Sequence, residues 1–132
     1  MIKILTTACF CFSTLFCFSQ TQNQMNEDAG NQYKKADKEL NSTYNKILKE
    51  YSGDPIFINN FKIAQRLWIQ FRDAEVNSKY PHKEQGYYGS VLPTCWALEM
   101  EELTKERTKK LKIWLTGIEE GDVCTGSVKY KN

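Results

Sequence analysis

The sequence predicts an all-α fold: three long amphipathic helices in an antiparallel bundle, with a long loop between helices 2 and 3 and an extended C-terminal tail. Three observations carry this. Apolar residues recur at spacings of three and four from about residue 21 onward, the period of a half-buried helix. Ser52-Gly53-Asp54-Pro55 and Tyr80-Pro81 punctuate that pattern with helix stops and starts. Between residues 80 and 91 the periodicity lapses altogether.

Residues 1–19 read as an export signal, with Lys3 as the positive start and Ile4 to Phe18 free of charge. The run is too short for a stable membrane span. Ser19, with Cys17 two residues earlier, offers a cleavage site that places the mature start at Gln20. A lipid anchor on Cys17 is the rival, but Leu15 and Phe16 stand where small residues would be needed. The expected product is periplasmic or secreted, with no lipid anchor and no membrane span.

Cleavage leaves two of five cysteines, Cys95 and Cys124, in a compartment where thiols tend to pair. It also removes Lys3, so 18 basic residues become 17 against 16 acidic ones, and the formal charge falls from +2 to +1. Such a mixed surface is not the basic footprint of a nucleic-acid binder. About 113 remaining residues make one domain (20–117) followed by a tail (118–132).

Helix 1 opens on a capping box, Thr21 to Gln24. Met25, Ala29, Tyr33, Ala36, Leu40, Tyr44, Ile47, Leu48 and Tyr51 then line one face. In helix 2, Asp54 is the N-cap and Pro55 takes the first turn, where its missing N–H is harmless. Its central stretch, AQRLWIQFRDAE (64–75), organises the rest. Gln65, Trp68, Arg72 and Glu75 fall along one stripe, and Ala64, Leu67, Trp68, Phe71 and Ala74 along an adjoining apolar one. Helix 3 starts near Pro93-Thr94 and runs through Trp96, Met100, Leu103, Arg107, Leu111 and Trp114 to Gly117. Its glutamates lie early and its lysines late, as the helix dipole favours.

The chemistry-bearing residues are sparse. His82 is the only histidine, in a polar loop, and the mature cysteines have no metal-ligand spacing. No nucleophile has a base or elbow context, Gly89-Ser90 lacks a GxSxG frame, and the glycines form no phosphate loop. Glu99, Glu101 and Glu102 read as a solvated face. These observations imply a non-enzyme without cofactor or metal. A hydrolase would require Asp73 and Glu75 in an open cleft beside a tyrosine or histidine.

Two readings of the polar stripe remain open. In one, Gln65, Trp68, Arg72 and Asp73 form a structural network with Asn41, Tyr44, Thr104 and Arg107 that ties helix 2 to its neighbours, since an unpartnered buried guanidinium is costly. In the other, Trp68 and Arg72 present a binding patch, being residues that dominate interaction hot spots. The loop YPHKEQGYYGSV (80–91) is the candidate partner-binding element, with Tyr87, Tyr88, Gly89 and Ser90 at its tip.

A Cys95–Cys124 disulfide barely closes by reach. A helix over 95–116 spans about 31 Å, and eight further steps extend at most about 27 Å. The bond needs the tail to run straight back along helix 3; an intermolecular bridge and free thiols are the alternatives.

The order Met25-Asn26, Ala36-Asp37, Leu40-Asn41 with Tyr44, the block AQRLWIQFRDAE, Gly89-Ser90, and Leu103-Thr104-Lys-Glu-Arg107 with Leu111 resembles the lysozyme-inhibitor lipoprotein (LprI-like) family. The resemblance covers about residues 25–115. It implies a small exported helical domain that binds a protein, lysozyme being the leading partner. Family members often carry cysteines where this chain has Asp28, Val76 and Glu99, so their staple between helices 2 and 3 is absent here. Oligomeric state is not legible in the sequence.

Overall fold

The computed structural model describes the backbone of residues 2–131 and the side chains of residues 21–131. It is all-α: α1 Ile2–Glu50, α2 Pro55–Lys79, α3 Leu92–Leu111 and a single turn α4 Ile113–Thr116. Among the described residues there is no strand, only an isolated bridge between Ile118 and Tyr130. No helix among them is long and apolar enough to cross a membrane.

Side-chain size explains the arrangement. The face that α1 turns to α3 is built on Ala29, Ala36, Leu40, Thr43 and Ile47, and α3 answers with Ala97, Met100, Thr104, Thr108 and Leu111. Alanines and threonines let two backbones approach closely, and α1 and α3 are the closely packed pair. Their contacts climb together, from Asn26–Thr94 to Tyr51–Trp114. The face of α2 is bulkier, with Phe57, Phe61, Gln65, Arg72 and Val76 buried, and these side chains hold it further off. Tyr51–Phe57, Tyr44–Phe61 and Asp37–Arg72 fall along α1 as they rise along α2.

The core proper lies at the Tyr51 end. Leu40, Ile47, Phe57, Phe61 and Leu111 form it, with Tyr44, Trp68 and Trp114 packed alongside. Phe57 and Phe61 stack at 5.2 Å between centroids, and Trp114 tilts onto Phe61 at 5.7 Å.

Four sequence expectations need correction. Thr21 lies within α1 rather than at its N-cap, because the helix begins at Ile2. The apolar stripe of α2 is not buried: Ala64 and Ala74 are exposed, Leu67 is 57% and Phe71 60% accessible. A residue at 67 lies roughly 200° around the helix from one at 65, so seating Gln65 against the neighbours turns Leu67 outward. Helix 3 is interrupted at Lys112, after which α4 completes the path to Gly117.

The fourth correction is to the tail and its cysteine. Instead of extending, residues 118–131 curl into a closed loop. Ile118 N–H donates to Lys129 O (3.0 Å) and Lys131 N–H to Ile118 O (2.8 Å). Trp114 Nε1 donates to Ser127 Oγ (3.0 Å), and Lys129 pairs with Glu50. Gly117, at φ 75°, makes the turn possible; a Cβ there would meet the backbone of residues 129–131 at 2.9 Å. Cys124 is thereby kept at the Trp114 end while Cys95 sits on the first turn of α3. Both thiols are free.

Candidate functional site

The N-terminal half of α2 is set by its cap. Asp54 Oδ1 accepts from the Phe57 N–H at 2.9 Å, with Pro55 following, which fixes where each later residue faces. Trp68 then lies between two guanidinium groups, Arg72 at 5.2 Å and Arg107 at 5.6 Å from the ring centroid. Arg72 is buried and reaches α1 by an ion pair with Asp37 at 3.8 Å. Its Nε donates to Asp73 Oδ1 at 2.9 Å and its Nη2 lies 2.8 Å from the same oxygen. Arg107 reaches across from α3, its Nε donating to Gln65 Oε1 at 3.0 Å. Burial draws the Arg107 pKa below its ordinary value.

Gln65 and Arg72 thus meet one neighbour each, through Arg107, which the sequence placed in this network, and through Asp37, which it did not. Asn41 meets this seam at Asp37, donating to Oδ2 at 2.9 Å. Tyr44 contributes a ring stacked on Phe61 at 5.4 Å, and burial raises its hydroxyl pKa while Arg66 lowers it. Thr104 is fully buried and, among the described residues, its hydroxyl has no hydrogen-bond partner. Glu75 is exposed. Sequence reasoning missed Asp37 as the Arg72 partner; its place one turn before Asn41 on the α1 face was the available signal. It also took Glu101 for a solvated residue. Glu101 is buried and paired with Lys105 at 2.5 Å.

Beside the seam, Tyr33, Arg72, Asp73 and Trp96 line a hollow of about 340 Å³. Burial raises the Tyr33 pKa; Arg72 opposes the rise, while Asp37 and Asp73 add to it. The Asp73 carboxylate there is occupied by Arg72 on two nitrogens. Among the described residues no group of three or more His, Cys, Asp and Glu side chains could hold a metal ion.

The loop over residues 80–91 is ordered by its own tyrosines. Tyr88 OH donates to Pro81 O at 3.0 Å, and its ring meets Tyr80 edge-on at 6.1 Å and Tyr87 at 4.9 Å. Gly86 and Gly89, at φ 85° and 70°, supply the left-handed turns. Tyr87 is left 68% exposed, with Lys83 above its ring at 5.9 Å. At the loop base Lys79 pairs with Glu99, and that hydrogen bond raises the lysine pKa. Asn26 fastens the far side: it donates to Ser90 O at 3.2 Å and accepts from Thr94 Oγ1 at 2.5 Å. Gly89 and Ser90 are exposed at this join. The role of Asn26 was not legible beforehand, although Met25-Asn26 belongs to the pattern that carried the resemblance.

No curated protein and no solved structure matches this chain. The family model described as lysozyme inhibitor LprI matches residues 18–111, a span that holds the seam, the tyrosine loop and Asn26. The chain therefore belongs to the lysozyme inhibitor LprI family.

Proposed function

We propose that the mature protein, from Gln20 onward, is a periplasmic or secreted non-enzymatic inhibitor that blocks lysozyme or a related cell-wall hydrolase by occluding its substrate cleft. In this reading the three helices are an antiparallel bundle serving as a rigid platform. The residues Asn41, Tyr44, Gln65, Trp68, Arg72, Asp73, Thr104 and Arg107 serve the packing of the helices, and the tip Tyr87-Tyr88-Gly89-Ser90 enters the target. The observation that carries it is the division of labour in the loop: Tyr88 is tied to Pro81, while its neighbour Tyr87 packs against the Tyr88 ring and remains 68% exposed. A pre-ordered aromatic tip loses little entropy on binding. Arg72 is buried in ion pairs, which favours a structural role over a presented one.

A turbidity assay of lysozymes of several classes with protein starting at Gln20 tests this. Inhibition should weaken by roughly tenfold or more in Tyr87→Ala, the loss expected of an aromatic hot spot. Absence of inhibition of every class at micromolar concentration removes the proposal. The second reading, an accessory helical module that binds another envelope protein, is favoured by the outward stripe of α2, with Leu67 and Phe71 exposed. A photo-crosslinker placed at residue 67 would then capture an envelope partner, while one at residue 87 would not.

A further inference from the structure

Between α2, the end of α3 and the tail lies an open cleft of about 450 Å³. Phe57, Phe61 and Trp114 form its walls, and the exposed Asn60 and Ala64 form part of its rim. Its volume and aromatic lining are those of a small-ligand site. The cleft contains one cation, Arg107, at the Ala64 end. This guanidinium is held in place by Gln65 on Nε and by the face of Trp68. Arg72 has two carboxylates; among the described residues Arg107 has none within ion-pairing distance. A half-buried guanidinium normally finds a carboxylate, because its desolvation is otherwise uncompensated. Asp54, at the opposite end of the cleft, has one oxygen engaged as the α2 cap.

We propose that this cleft binds a small amphipathic carboxylate of the fatty-acid or aryl-acid kind. Its apolar body lies on Phe57, Phe61 and Trp114, and its carboxylate pairs with the two Nη groups of Arg107. The fixed orientation of Arg107 suits a planar, two-point contact. The proposal is independent of lysozyme inhibition, since the cleft lies at the Trp114 end and the tyrosine tip at the other.

Dodecanoate, dodecanol and 2-naphthoate are the probes, followed through tryptophan fluorescence and by calorimetry on the protein starting at Gln20. Dodecanoate should bind at least roughly tenfold more tightly than dodecanol, the margin of one charge-assisted contact. Arg107→Gln should erase that margin, and Arg107→Lys should keep part of it. Ala64→Trp, which obstructs the rim without touching the Gln65 contact, should weaken both acids. Naphthoate binding in preference to dodecanoate would assign the cleft to aryl acids, and the reverse to acyl chains. Equal affinity for dodecanoate and dodecanol, or acid binding that survives both Arg107→Gln and Ala64→Trp in folded protein, overturns the proposal. So does the absence of binding by either acid.

Discussion

Replacing Thr104 by valine should make this protein more stable, although it deletes a polar group from the middle of a helix. Thr104 is 0% accessible, and its Oγ1 is the buried side-chain atom left without a partner among the described residues. Thr108, one turn later, donates its hydroxyl to the Thr104 carbonyl at 2.9 Å, whereas the Thr104 hydroxyl finds no such acceptor among the described residues. An unpaired buried hydroxyl destabilises by about 1–3 kcal/mol. Valine has nearly the same shape, and the two residues differ little in helix propensity. Allowing for imperfect fit of the new methyl, the net gain is about 1–2 kcal/mol. For a domain of this size that raises the melting temperature by roughly 4–8 °C. Urea titration and calorimetry read it directly. Thr104→Ser, which keeps the hydroxyl and removes a methyl, should lose about 1 kcal/mol. A valine variant that melts lower than the parent would mean that the hydroxyl has a partner, and the reasoning about this helix contact would fail.

Phe61 and Phe71 should separate cleanly by urea titration. Phe61→Ala empties the core and should lose about 3–5 kcal/mol, whereas Phe71→Ala, on the outward stripe, should stay within about 0.5 kcal/mol. Glu39 takes a hydrogen bond from Lys112 at 2.7 Å, which holds its pKa below the usual carboxylate range. A depressed carboxylate pKa contributes stability that is present above the unfolded value and lost as pH falls through the folded one. Glu39→Gln should therefore flatten the acid limb of a stability–pH curve slightly, and 1 M salt should mimic it, the pair being exposed. In oxidised protein starting at Gln20, a thiol reagent should titrate both cysteines, the exposed Cys124 faster than the half-buried Cys95. Non-reducing electrophoresis should show no internally bridged species.

Local signals translated well into structure because their causes are local. Asp54-Pro55 caps α2 as expected, since the cap needs only a short side chain and a residue without a donor. The α1 face was legible for the same reason: Ala29, Ala36, Leu40 and Ile47 recur at helical spacing and are buried. What failed required knowledge of a neighbour's distance. The stripe through Leu67 and Phe71 has the right period for a buried face, but bulky Phe57, Phe61 and Arg72 hold α2 along one narrow line. Arg107 and Asp73 could be anticipated as members of the seam. That Asp37 would meet Arg72 depended on how α1 is rotated, and small alanines and threonines fix that rotation rather than any polar motif. The tail was unreadable for another reason, since a loop closed by two backbone hydrogen bonds and one glycine leaves no periodic trace.

The contacts at the two extremities give the molecule a front and a back. Gln22 donates to Thr94 at 3.3 Å beside the tyrosine loop, whereas Lys129 donates to the Tyr51 hydroxyl at the far end, at 3.4 Å. The 25 residues of α2 separate these poles by about 37 Å. A bulky fusion appended before Gln20 would crowd the tyrosines. One appended after the final residues would leave them pointing away from whatever surface carries the protein.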